Sequence, residues 1–135
     1  YNSFKKKIAD GSIDLDTDTI KIALVTSSYT VDIDAHDFFD DITNETSGTG
    51  YSAGGATLAS KVVTVDNTND RAYFDADDAT WSTSTITARG AVVYKSTGTP
   101  STSALICYID FGSNITSTAA TFTVAFHANG ILLFT

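Results

Sequence analysis

Three aspartates stand at alternate positions, Asp14, Asp16 and Asp18, as they do at the start of many calcium-binding loops. A helix–loop–helix calcium site also requires glycine at the sixth position and a bidentate acid at the twelfth. Counted from Asp14, those positions hold Thr19 and Val25, and the second half of the loop runs into a strand. We therefore expect solvated turn residues that hold no structural calcium. An irregular site that combines Asp16 or Asp18 with distant acids is the alternative.

Other carboxylates cluster along the chain, but their spacing carries no catalytic signature. A glycosidase needs two acids that face each other about 5–9 Å apart, and closeness in sequence does not establish that. Aspartates are common turn residues, and we expect no catalytic pair in three clusters: Asp32/Asp34, Asp37/Asp40/Asp41 and Asp75/Asp77/Asp78. His36 and His127 lack partners at metal-ligand spacing, and no nucleophile motif occurs. We expect no metal, no cofactor and no enzymatic activity.

The composition restricts the classes of partner. The 135 residues carry a formal net charge of −8, whereas nucleic-acid-binding proteins present basic surfaces to phosphates. The only basic cluster is Lys5-Lys6-Lys7, and we expect no nucleic-acid partner. No stretch approaches the ~20 apolar residues of a membrane helix and no signal peptide opens the chain, so we expect no membrane association. The single cysteine, Cys107, lies in an apolar run and is expected to be a small buried hydrophobe.

Hydrophobic patterns of period two dominate the chain from Thr19 onward and predict β-strands. In the first strand, Ile20, Ile22 and Leu24 face one way. In the later segment STITARGAVVYKS, the same alternation places four residues on one face: Ile86, Ala88, Val92 and Tyr94.

Turn residues predict which strands pair as hairpins. The DNTND turn between KVVTVD and RAYFDAD predicts one hairpin. The Asn129-Gly130 pair predicts a second, closing hairpin between TFTVAFH and ILLFT.

The whole chain, residues 1–135, is predicted to form one domain. A short helix is expected within residues 1–11, because Phe4 and Ile8 have helical spacing and Gly11 follows. A long, acidic, Gly/Ser-rich loop region spans residues 27–56 and is expected to be functional or to form an interaction surface. Several short strands at regular spacing predict an all-β fold: an antiparallel β-sandwich, jelly-roll-like or partly closed into a barrel, of about seven or eight strands.

Three stretches carry a family resemblance: DTDTIKIAL (16–24), GTGYSAGGATL (48–58) and WSTSTITARGAVVYK (81–95). With most of the chain from Ser12 onward, they resemble a family of small virion structural proteins of tailed bacteriophages. The resemblance implies a non-enzymatic component of the virion and carries over no catalytic residue. Capsid decoration or cement, head fibre and tail-associated roles are all compatible with it. The implied partners are other virion proteins, such as the major capsid protein.

Three segments, AVVY, ALICYI and ILLF, are apolar on both faces, whereas a two-layer sandwich buries only one face of each sheet. We therefore predict a homo-oligomer, and the phage resemblance suggests a homotrimer. The interface candidates are Val93, Ile106, Tyr108, Leu132 and Phe134. The alternative is cover from the same chain, by the helix residues Phe4 and Ile8 and by a turn that carries Phe38, Phe39 and Ile42.

The alternative function is a tail- or fibre-associated carbohydrate-binding module for host attachment. Trp81, with Tyr73 and Tyr94, is the candidate sugar-stacking platform. Aromatic residues on strands also serve as packing residues within sheets. Burial of the Trp81 ring would exclude stacking at that residue.

Overall fold

The computed structural model describes all residues from Tyr1 to Thr135, and it begins with a short helix, α1 (Asn2–Ala9). Phe4 is buried in the main core and Ile8 packs against that core, as their helical spacing predicts. No helix of the protein is both long enough and apolar enough to cross a membrane.

Seven strands follow the helix. Their bounds are β1 (Ile20–Val25), β2 (Ala56–Thr57), β3 (Val62–Asp66), β4 (Arg71–Asp75), β5 (Ala79–Lys95), β6 (Leu105–Val124) and β7 (Leu132–Phe134). A large sheet has the order β2-β1-β5-β6, a small sheet has the order β3-β4-β7, and every pairing is antiparallel. The predicted antiparallel β-sandwich with a short N-terminal helix is confirmed, and the two sheets do not close into a barrel.

The small sheet confirms one predicted hairpin and corrects the other. β3 and β4 pair across the DNTND turn, as expected. The closing hairpin is wrong, because β7 pairs with β4 while the end of β6 pairs with the start of β5. The turn itself forms, since the Gly130 N–H donates to the His127 carbonyl at 2.7 Å. The strand that follows the turn, however, crosses to the other sheet.

β5 and β6 form a long pair that bends sharply at a bulge. Ala88 lies opposite Ile115 and Gly90 lies opposite Asp110, so the four residues 111–114 face Arg89 alone. The rings of Phe111 and Phe122 consequently lie 6.2 Å apart, although a straight strand would separate these residues by roughly 36 Å. The bend lets one strand contribute to the main core at two places.

The same bulge changes which residues share a face. Ile86 and Ala88 lie in the main core, whereas Val92 and Tyr94 lie in a second cluster on the opposite face of the large sheet. The predicted common face for these four residues is therefore wrong. The irregularity at this bulge reverses the side-chain alternation of β5 between Ala88 and Ala91, and hydrophobicity alone does not reveal it.

The loop region 27–56 covers the second face of the large sheet. The buried members of this second cluster are Ala23, Val25, Tyr29, Val92, Tyr94 and Leu105. Phe39 stacks on the Tyr94 ring with 4.1 Å between centroids, and Ile42 packs beside it. The Tyr29 hydroxyl bonds to the Tyr1 hydroxyl at 2.9 Å and to His36 Nδ1 at 3.0 Å. The loop region is thus a packed layer, and cover from the same chain accounts for this apolar face.

Candidate functional site

The acidic segment 14–18 is a hydrogen-bonded turn in which each carboxylate contacts different groups of the protein. Asp14 Oδ1 accepts bonds from the backbone N–H groups of Asp16 at 3.0 Å and Thr17 at 3.2 Å. Asp18 forms an ion pair with Lys95 at 2.8 Å. Asp16 Oδ1 accepts a bond of 3.0 Å from the backbone of β3. No group of three or more His, Cys, Asp or Glu side chains is arranged to hold a metal ion, and the absence of structural calcium here stays a prediction.

The remaining acidic clusters also stabilise turns. Asp32 Oδ1 accepts the N–H groups of Asp34 and Ala35, at 3.0 and 2.9 Å. These bonds hold the pKa of Asp32 below its ordinary value. Asp77 accepts the Ser60 hydroxyl at 2.6 Å, and Asp78 accepts the backbone N–H of Phe126 at 2.9 Å. These contacts give the carboxylates local structural roles.

The two histidines and the cysteine lie in different surroundings. His36 stacks on Tyr29 with 5.7 Å between ring centroids, whereas His127 Nδ1 accepts the backbone N–H of Asn129 at 3.0 Å. Cys107 is half-buried against the main core, and burial raises the pKa of its thiol to about 12. The thiol therefore stays protonated at neutral pH, and the thiolate that a nucleophile would need does not form there.

The structure separates the three candidate sugar-stacking residues. Trp81 is 6% exposed, with its ring edge-on to Phe122 and tilted against Tyr51. Tyr94 is 3% exposed beneath Phe39. A sugar ring cannot stack on either face of a ring that the core already covers, so the prediction is wrong for Trp81 and Tyr94. Tyr73 is half-buried in the small sheet, whereas Trp81 and Tyr94 lie on β5 of the large sheet, so the three rings do not form one platform.

The predicted interface residues also divide into two groups. Val93 and Ile106 are buried in the main core, at 0% and 1% exposure, and cannot contact a second copy. Tyr108, Leu132 and Phe134 are half-buried against the clusters of the same chain. Other residues of the same chain therefore cover most of the apolar segments. The homo-oligomer stays a prediction, and these five residues no longer support it.

A polar pocket of about 410 Å³ opens where the loop region 27–56 meets the loop between β5 and β6, over β1 and β5. The residues that line it include Lys21, Glu45, Gly54 and Tyr94. Glu45 Oε1 accepts the Tyr51 hydroxyl and the Gly54 N–H, each at 2.6 Å. Burial, and then the charge of Glu45, raises the pKa of Tyr94 to about 12. The pocket can donate and accept hydrogen bonds. The Glu45 contacts hold in place residues 48–55 (GTGYSAGG), which we call the glycine-rich loop.

The most exposed apolar surface belongs to the small sheet. Seven large hydrophobic residues of the chain are exposed, and four of them lie on its strands. Val63 and Val65 project on the face that carries Phe74, and Val62 and Leu133 project on the opposite face. Beside them, an apolar groove runs between Val63, Phe134 and the Ile8, Ile13 and Leu15 side chains. Exposed apolar patches of this kind mark interaction surfaces. The KVVTVD segment signals this surface in the sequence, because adjacent valines place apolar groups on both faces of a strand.

The comparisons with known proteins add no relative. No family model matches the chain. No curated protein and no solved structure matches it either.

Proposed function

We propose that the protein is a non-enzymatic structural component of a tailed-bacteriophage virion and that it acts through contacts with other copies and with other virion proteins. Capsid decoration or cement, or a head fibre, is the preferred position. The major capsid protein is the partner that this position implies.

The observation that carries the proposal is the exposed apolar surface of the small sheet. Val65 on β3 is 68% exposed and Leu133 on β7 is 46% exposed, and the two side chains project from opposite faces of the sheet. The central strand β4 anchors this sheet in the core through Phe74. A β-sheet that presents exposed apolar side chains on both of its faces is suited to repeated protein–protein contact.

The placement of the phage-like stretches supports the same proposal. DTDTIKIAL covers β1 up to Leu24, GTGYSAGGATL contains β2, and WSTSTITARGAVVYK lies within β5. These three strands are neighbours in the large sheet, so the resemblance falls on one continuous structural unit. A structural protein acts through its shape and its surface, so we expect its resemblance to relatives to lie in the strands that set that shape.

The test is quantitative mass spectrometry of particles of the parent phage, purified on a density gradient. We expect peptides of this chain at a fixed ratio to the major capsid protein, and immunogold labelling on the head. A high ratio supports decoration, whereas a few copies per particle support a fibre or tail position. Peptides that occur in infected-cell lysate but not in purified particles would overturn the proposal.

A further inference from the structure

β3 is an edge strand whose outward-facing backbone groups can be assigned. Val63 lies opposite Phe74, and the Phe74 carbonyl points away from β3, since it accepts the Ile131 N–H at 2.8 Å. The pair is therefore non-hydrogen-bonded, and the N–H and C=O of Val63 also point outward. By the same alternation, Val65 presents its N–H and C=O at the free edge. Val65 is the most exposed large apolar residue of the protein.

One side chain occupies this edge. Asp16 Oδ1 accepts the outward N–H of Val63 at 3.0 Å. The Lys61 ammonium fixes the acidic segment beside the strand, because it donates to the carbonyls of Asp16, at 3.0 Å, and of Asp18. A carboxylate that caps a backbone donor prevents a second strand from using that donor.

We propose that the Asp16 carboxylate blocks self-association of the chain. By occupying the Val63 N–H, it prevents the free edge of β3 from pairing with β3 of a second copy. The inference concerns self-association of the chain, and it does not depend on the virion role.

The register of β3 makes a second copy the fitting occupant. A two-fold axis through Thr64 sets two β3 strands antiparallel, with Val63 of each copy opposite Val65 of the other. These are the residues whose backbone groups face outward, so each such pair exchanges two hydrogen bonds. The four valine side chains then lie together on the face that carries Phe74. Edges of this kind pair readily unless a charge or a cap blocks them.

The decisive variants are Asp16→Ala, which removes the cap, and Asp16→Asn, whose amide oxygen still accepts the Val63 N–H. Sedimentation velocity of the full chain over a concentration series measures self-association relative to the wild type. We expect Asp16→Ala to associate roughly tenfold to a hundredfold more tightly. In this variant the Val63 N–H no longer bonds to the Asp16 carboxylate, and it is free to pair with a second β3 strand. Asp16→Asn should stay close to the wild type. Adding Val65→Lys to Asp16→Ala should reverse the association by placing a charge on the edge.

Two results would overturn the inference. The first is a folded Asp16→Ala protein, by circular dichroism, that associates no more than the wild type. The second is association that Val65→Lys leaves unchanged, since another surface would then be responsible. If Asp16→Ala does not fold, amide exchange in the wild type decides: a capped edge requires a protected Val63 N–H beside a rapidly exchanging Val65 N–H, and equal rates refute it.

Discussion

The Glu45 carboxylate accepts a hydrogen bond of 2.6 Å from the Tyr51 hydroxyl, whose oxygen in turn accepts the Leu24 backbone N–H at 3.0 Å. Burial, and then the hydrogen bond to Glu45, raises the pKa of Tyr51 above its ordinary value. The hydroxyl therefore stays protonated and donates to Glu45 at any physiological pH. This chain of bonds ties the glycine-rich loop to the central strand β1.

Tyr51→Phe should lower the free energy of unfolding by about 1.5–3 kcal/mol, because the Glu45 carboxylate loses its donor and the Leu24 N–H loses its acceptor. Urea denaturation measures the loss. Tyr73→Phe is the matched control, since it removes the same hydroxyl from the small sheet, outside this network. Equal losses in the two variants would contradict the assigned role of the Glu45–Tyr51 pair.

Trp81 is the only tryptophan, so its fluorescence reports one environment. Its 6% exposure predicts blue-shifted emission in the native protein and iodide quenching that becomes strong only after unfolding. Added saccharides should leave the emission unchanged, because no face of the ring is open to them. Native quenching as strong as in urea would show that the ring is accessible, and sugar stacking at Trp81 would then be open again.

Local patterns predict those parts of the fold that depend on neighbouring residues. The alternation in β1 predicts the buried face formed by Ile20, Ile22 and Leu24, and all three lie in the main core. The β3–β4 hairpin follows from its turn, where Asp66 Oδ1 accepts the N–H groups of Thr68 and Asn69 at 3.1 and 3.2 Å. Both features depend on contacts within a few residues.

Features that depend on distant partners were not predictable from these patterns. The turn at Asn129-Gly130 forms, but β7 pairs with β4 because Leu132 lies beside Phe74 at the core. Similarly, Asp16 reaches β3 across 47 residues, and no spacing rule for calcium loops or turns indicates that contact. The roles of the acidic residues therefore emerge only once the two sheets are assembled.

Acid should weaken the turn that covers the second face of the large sheet. Asp41 Oδ2 accepts the N–H groups of Asp37 at 2.8 Å and Phe38 at 3.0 Å, and the Phe38 bond is the main cause of a lowered Asp41 pKa. A lowered pKa in the folded state adds stability above the ordinary carboxyl pKa of about 4, and this stability is lost as the pH falls through the folded value.

The measurement compares unfolding free energies of the wild type and Asp41→Asn between pH 7 and pH 2. We expect the wild type to be the more stable protein at pH 7 and the difference to shrink below about pH 4, as the pH falls from the ordinary carboxyl pKa through the lowered pKa of Asp41 in the folded protein. Asp40→Asn, at an exposed position of the same turn, is the control for the loss of one carboxylate charge. A difference for Asp41→Asn that stays constant across the range would refute the titration of Asp41 as its cause.

The glycine-rich loop offers a matched pair of substitutions that separates backbone strain from steric clash. Gly54 and Gly55 both have positive φ, +84° and +67°, which costs any residue with a Cβ. A Cβ at Gly54 would meet only the flexible ends of Lys21 and Tyr94, at 3.2 and 3.3 Å, whereas one at Gly55 would lie 1.9 Å from the Ile22 carbonyl oxygen. Gly55 therefore sets how closely the loop approaches β1 just before β2 pairs with it.

Gly54→Ala should cost about 1–2 kcal/mol from strain alone. Gly55→Ala should cost roughly 2 kcal/mol more, because the loop must move away from β1 and the pairing of Ile22 with Ala56 must loosen. Chemical denaturation gives the free energies, and amide exchange at Leu58, whose N–H donates to the Ile20 carbonyl at 2.9 Å, reports the local loosening. If the two variants lose the same stability, the loop adapts to the added methyl group, and close packing of Gly55 on β1 is not what holds β2 in the sheet.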